Sequence, residues 1–260
     1  MEQNISNKMN EENALLKYTL RLADSNIIMG HRLSELCSSG PYLEEDIAIS
    51  NIALDYLGQA NSLYSYASEQ DHKKRSVDHL VFHRDEHSYY NLLITEEENG
   101  HFGNTIAKIL FYSLYQKHFY TLLIDSKDIK LAAIAEKSLK EVKYHVRHAK
   151  SWTIRLGDGT KESKIRMQEA INNLWKYTDE IFEMDKIDDN LIKEGVAVHL
   201  GNVKNDWQKS IHDCLKEATL ELPLNTIMIS GGKNGKHTGS LKNILETMQY
   251  LPRKYPDAKW

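Results

Sequence analysis

Proline stands at only four positions in this chain, 41, 223, 252 and 256, which leaves nearly the whole sequence free to be helical. Each of the four is expected in a connection or in the tail, and no alternating strand pattern competes. Apolar periodicity predicts long helices at about 11–37, 43–69, 104–124 and 129–156. The first stops at Ser38-Ser39-Gly40-Pro41 and the second in the polar run Asp71-His72-Lys73-Lys74-Arg75. The third follows Asn99-Gly100, with Asn104 as the expected N-cap, and the fourth closes on Gly157-Asp158-Gly159. Long helices joined by short connections, apart from a bridging segment at 77–95, are the anatomy of an all-α bundle. Shorter amphipathic helices at about 163–183, 203–222 and 240–250 are expected to pack onto it. No repeat or long linker marks a second domain. One helical domain is therefore expected over 1–260, with a core bundle at about 11–156, C-terminal helices at about 163–250 and a tail at 251–260.

Composition narrows the function classes. With 41% hydrophobic and 27% charged residues the chain has the make-up of a soluble globular protein. Its 33 basic and 37 acidic residues create no overall positive field, so nucleic acid is not an expected partner. Cys37 and Cys214 stand far apart with no CxxC and read as reduced thiols. The start, MEQNISNKMNEENALL, lacks the basic and apolar regions of a signal peptide, and no apolar run approaches ~18 residues. No membrane association and a cytoplasmic location are expected.

Two helices expose their inner stripes to inspection. In the fourth, Leu131, Ala135, Ser138, Val142, His145, Ala149, Trp152 and Leu156 recur at steps of four and three; in the second, Ile49, Ile52, Tyr56, Gln59, Leu63 and Tyr66 do the same. A carboxylate-bridged di-iron centre in a bundle requires a Glu from each of two helices and Glu-x-x-His from each of the other two. The carboxylates offset the metal charge and bridge the ions, and an imidazole completes each shell. On these stripes the Glu-x-x-His positions are Tyr56/Gln59 and Val142/His145, so three of the four ligands are missing and His145 is the sole remnant. The third helix has no Asp or Glu, and Asp24 is the only acid between Ala14 and Ser34 of the first. No metal site is expected. His145 reads as a core histidine held by a neighbour, with Glu141 one helical turn away as a candidate partner.

Other patterns carry less. Glu69/His72 and Glu98/His101 match Glu-x-x-His formally, but one lies in a charged helix end and the other spans a turn dipeptide. His79, His83 and His87 would share a face if 77–95 were helical; a solvated row is expected rather than a zinc site. Ser230-Gly231-Gly232-Lys233-Asn234-Gly235-Lys236-His237-Thr238 resembles a phosphate-binding loop but has Ser230 where glycine is needed and His237 after the lysine. It reads as a flexible connection, with Lys233, Lys236 and His237 as candidate contacts for an anionic group such as a nucleotide phosphate. Tyr18, Tyr56, Tyr64 and Tyr66 read as core packing.

The stretches Tyr18–Asp24 (YTLRLAD), Asn51–Ala60 (NIALDYLGQA) and Arg84-Asp85-Glu86 resemble the PaaC subunits of bacterial phenylacetyl-CoA epoxidases, the ring 1,2-monooxygenases. So do Lys140–His145 (KEVKYH), Gly231–Thr238 (GGKNGKHT), Met248-Gln249 and the final Trp260, so that the likeness covers nearly the full chain. Histidines 79, 83 and 87 depart from the family pattern. The resemblance implies a ferritin-like fold without a di-iron centre of its own. It further implies tight pairing with a homologous catalytic subunit that holds two irons and binds the CoA thioester, fed with electrons from NADPH by a separate reductase. The expected function is a non-catalytic structural subunit in aerobic phenylacetate degradation, and no catalytic residue is carried over. The alternative is an independent di-iron or di-manganese oxygenase or oxidase with an irregular ligand set around Asp24, Asp55, Glu141 and His145. A stand-alone ligand-storage bundle is a third reading.

Overall fold

The computed structural model describes residues 2–224, 226–256 and 258, with side chains from Ala14 onward; Trp260 lies outside the described residues. Among them the chain is all-helical. Helix α1 spans Glu2–Ser34, α2 Leu43–Gln70, α3 Val77–Phe82, α4 Leu93–Glu96, α5 Phe102–Leu123 and α6 Ile129–Gly157. Helix α7 spans Lys161–Trp175, α8 Lys186–Glu194, α9 Leu200–Glu217 and α10 Gly239–Lys254. The four long helices α1, α2, α5 and α6 form the expected bundle, with α1 packed along α2 and α5 along α6.

The boundaries differ from the expected ones where capping chemistry decides. His101, not Asn104, is the N-cap of α5, and the Asn104 amide already donates to the His101 carbonyl at 2.9 Å. The expected helix at 163–183 breaks at Trp175 and resumes only as a single 3₁₀ turn, Glu180–Phe182. Helix α8 is an addition to the expected set. It is nucleated by a capping box in which Asp185 accepts from the Asp188 amide and Asp188 returns the bond to the Asp185 amide, and it ends on Gly195 at φ 78°. Pro252 lies inside α10 rather than in the tail. It stands in the last turn, where one lost amide donor costs little, and the Tyr255 amide still reaches the Leu251 carbonyl at 2.9 Å.

Helix α5 is largely apolar, buries residues on nearly every side and occupies the centre. Helices α6, α7 and α9 cover it. The Trp207 indole donates to the Phe111 carbonyl at 3.0 Å, and Phe111, Trp175 and Trp207 pack with ring centroids 5.7–5.8 Å apart. The C-terminal helices thus dock through aromatic anchors, and the Trp207 indole hides its polar atom in a hydrogen bond.

One buried ion pair ties the bundle to the irregular segment between α3 and α4. Asp24 of α1 and Arg84 are both buried. The Arg84 guanidinium engages both carboxylate oxygens, the Tyr64 hydroxyl of α2 donates to one, and the Tyr90 amide donates to the other at 2.8 Å. Arg84 also lies 4.2 Å above the Tyr89 ring and donates to the Ser88 carbonyl at 2.7 Å. Burial alone would lower the guanidinium pKa, but the Asp24 carboxylate outweighs it and the shift is upward. From α10, Gln249 donates to the Arg84 carbonyl at 2.9 Å and to the Tyr89 hydroxyl at 3.1 Å. Replacing Asp24→Asn or Arg84→Met strands the partner charge in the interior, and urea unfolding is expected to show a loss of about 3–5 kcal/mol.

Candidate functional site

The centre of the bundle is where a dinuclear metal would sit, and each inner stripe delivers its residues there. Tyr56, Gln59, Val142 and His145 are all buried. Gln59 is not isolated: its carboxamide donates to Glu141 Oε2 of α6 at 3.0 Å and faces the Gln116 amide of α5 at 3.4 Å. Gln116 in turn donates to Asn26 Oδ1 of α1 at 2.8 Å and approaches the Tyr120 hydroxyl at 3.4 Å. Burial pushes the Tyr120 hydroxyl up to about 12, against hydrogen bonds to Asn26, Gln116 and Ser138 that favour the anion. Four helices therefore meet at three carboxamides and two hydroxyls.

Glu141 turns to Gln59 rather than to His145, contrary to the expected pairing. The buried His145 ring bonds Asp55 through Nε2 at 2.9 Å and packs on Tyr56 with centroids 4.8 Å apart. Asp24, counted in the alternative ligand set, is committed to Arg84. Asn26 and Gln116 lie on the two long helices whose inner stripes the sequence reading passes over. Their signal is an amide at an inward position of each.

This donor set does not suit two iron ions. Carboxamides carry no charge and bind through one oxygen, whereas a bridged pair needs about four carboxylates to offset the metal charge. Among the described residues no group of three or more His, Cys, Asp or Glu side chains is placed to hold a metal ion.

The histidine row dissolves, since α3 ends at Phe82. His83 is its C-cap, stacked on His79 with ring centroids 5.5 Å apart, and His87 lies on the separate 3₁₀ turn Glu86–Ser88. Of the formal Glu-x-x-His pairs, Glu69 is ion-paired with Lys130 and His101 caps α5.

The loop at 230–238 is pinned rather than flexible. Glu180 is fully buried; its Oε1 accepts the Gly231 and Gly232 amides at 2.8 and 2.6 Å, and its Oε2 accepts the Leu93 amide at 2.7 Å. Burial raises its pKa against those three bonds. Glu96 repeats the device: it accepts the Thr238 amide at 2.6 Å, the Asn91 carboxamide at 2.9 Å and His237 Nδ1 at 2.9 Å. The other ring nitrogen of His237 bonds the Tyr89 carbonyl at 2.9 Å. Burial opposes the charged ring, but the Glu96 carboxylate outweighs it and raises the His237 pKa. Lys233 donates to the Ile181 and Glu183 carbonyls at 3.1 and 2.7 Å, and burial pushes its pKa down to about 8. The amides a phosphate would use are thus filled by the chain's own carboxylates, and of the three candidate anion contacts only Lys236 is exposed.

Close approach explains two loop glycines. A Cβ on Gly232 would strike the Asn91 carbonyl, and Gly235 combines φ 75° with the same closeness to the His87 carbonyl. Gly232→Ala is expected to cost about 1–3 kcal/mol in chemical denaturation.

Lys108 of α5 is fully buried, donating to the Glu97 carbonyl and to Asn99 Oδ1, and burial pushes its pKa down to about 7. Between that value and the ordinary lysine range the unfolded chain binds more protons than the folded one, so stability rises with pH across this window. In Lys108→Met the slope of unfolding free energy against pH between 7.5 and 9.5 is expected to fall, by up to about 1.4 kcal/mol per pH unit for one proton.

Residues 1–260 match the family described as phenylacetic acid catabolic protein. The chain is 43% identical over 248 residues to a subunit of the 1,2-phenylacetyl-CoA epoxidase of Escherichia coli (strain K12), an alignment covering 95% of this chain and 100% of that protein. Asp24, Arg84, the loop at 231–238 and Gln249 are distant in sequence and joined by one connected set of hydrogen bonds. This chain belongs to the phenylacetic acid catabolic protein family.

Proposed function

We propose that this chain is a non-catalytic structural subunit of a multicomponent phenylacetyl-CoA 1,2-epoxidase in phenylacetate degradation, and that it pairs with the di-iron catalytic subunit and stabilises it. The observation that carries the reading is the bundle centre, where Asn26, Gln59 and Gln116 stand hydrogen-bonded to one another in place of bridging carboxylates. The subunit name borne by the Escherichia coli relative supports the pathway and the existence of partners. In this reading the irons and the electron supply from NADPH belong to other components, and the complex works in the cytoplasm. No helix among the described residues is long and apolar enough to cross a membrane.

The docking of α7 and α9 onto α5 supports treating residues 1–260 as one domain. Leu43, Ile47 and Leu54 are exposed on α2, and such a row is suited to the apolar part of an obligate interface. Ile47→Asp with Leu54→Asp is expected to abolish co-purification with the catalytic partner while leaving the chain folded by circular dichroism. Undiminished capture would exclude this face.

Metal analysis separates the reading from an independent oxygenase. Purified alone from iron-replete cells, the chain is expected to carry background iron and manganese; about two metal ions per chain, the stoichiometry of a dinuclear bundle, would overturn the proposal. Co-expression tests the structural role, because a catalytic partner equally soluble and active without this chain contradicts it.

A further inference from the structure

A cavity lies apart from the bundle centre. It is a cleft of about 450 Å³ between the middle of α1, the α2–α3 and α3–α4 connections and the start of α8. Its size is that of a small-molecule site. Among the described residues four cations line it, Lys17, Arg75, Arg84 and Lys186, and no Asp or Glu does. Two of the four are neutralised from behind: Arg84 by Asp24, and Arg75 by Asp71, whose oxygens it meets at 2.7 and 3.1 Å. Lys17 and Lys186 have no ion pair among the described residues. On α1 itself, the positions three and four residues from Lys17 hold Asn13, Ala14, Leu20 and Arg21, so helical pairing supplies no acid either.

The Lys17 ammonium is instead held 4.8 Å over the ring of Tyr90, which also lines the cleft. This arrangement fixes a cation without cancelling its charge. Burial and the neighbouring Arg21 disfavour the charged form of Lys17, more than Asp185 favours it. An anion entering between Lys17 and Lys186 would relieve that imbalance in a partly desolvated site, where charge-assisted bonds are strong.

We infer that this cleft binds a phosphate-bearing small molecule, its phosphate held between the Lys17 and Lys186 ammonium groups and its apolar portion against Leu16, Leu20 and Ile187. Lysines act here as point charges and suit a phosphate approached from several directions. The site is independent of the subunit reading above, since its charges and shape belong to this chain alone.

Calorimetric titration of the full chain with pyrophosphate and with ADP, at low and at physiological ionic strength, tests the assignment. Saturable binding of either probe is expected, with affinity falling as salt rises. Tighter binding of ADP identifies a nucleotide-like ligand, and equal binding identifies the phosphate group alone as the determinant. Lys17→Gln with Lys186→Gln is expected to weaken binding at least tenfold. Lys209→Gln with Lys216→Gln, exposed on α9, removes the same charge elsewhere and is expected to leave affinity within twofold. Lys186→Gln alone, exposed and outside the packed core, gives a partial loss should the double variant be poorly folded. Absence of saturable binding to the wild-type chain, or equal weakening by the two double variants, overturns the proposal.

Discussion

Asp24 and Arg84 are 60 residues apart in the chain and meet where both are buried. Moving such charges out of solvent costs several kcal/mol each unless geometry and additional hydrogen bonds return it. Here the returns come from separate parts of the chain: Tyr64 on α2, the Tyr90 amide, and the carbonyl of Ser88. The constraint explains why residues 83–92, which contain little regular helix, follow one path. That path in turn positions Tyr89 and Asn91, to which the loop at 231–238 and Gln249 of α10 attach. Asp24, Arg84, the loop at 231–238 and Gln249 are therefore parts of one connected hydrogen-bond system.

The same accounting applies to polar groups elsewhere in the interior. At the bundle centre, Gln116 donates to both Asn26 and Gln59, and the three carboxamides meet Glu141 and Tyr120 without any concentration of charge. A carboxamide has nearly the shape of a carboxylate but lacks the negative charge that metals require. Glu96 and Glu180 are the converse case: carboxyl groups whose oxygens accept loop backbone amides. They stand where an external anion would otherwise be bound, which converts a loop resembling a phosphate cradle into a fastening between α4, the turn at Glu180–Phe182 and α10.

Helix existence was readable from the chain because proline scarcity and apolar periodicity are local properties. Ile49 through Tyr66 on α2 and Leu131 through Ala149 on α6 are buried as their spacing requires. Toward the end of α6 the buried row moves from Trp152 and Leu156 to Thr153 and Gly157, because the Gly157 backbone lies against Ala218 and Leu220. Periodicity cannot anticipate a neighbour that arrives from about 60 residues away. The nine-residue α8 was legible in principle through Asp185, Asp188 and Gly195, but a single capping box is a weak signal without the packing that selects it.

The sequence by itself determined the all-helical class, the stripes that face inward and the absence of acids from α5, since each follows from residue type at helical spacing. Only the tertiary structure decided which polar groups meet. Glu141 bonds Gln59 rather than His145, His145 bonds Asp55, and the glycine-rich loop closes on Glu180. The reason is physical: a buried polar side chain must find a partner, but helical spacing restricts that choice only within one helix. Between helices, packing of the surrounding apolar side chains sets the choice.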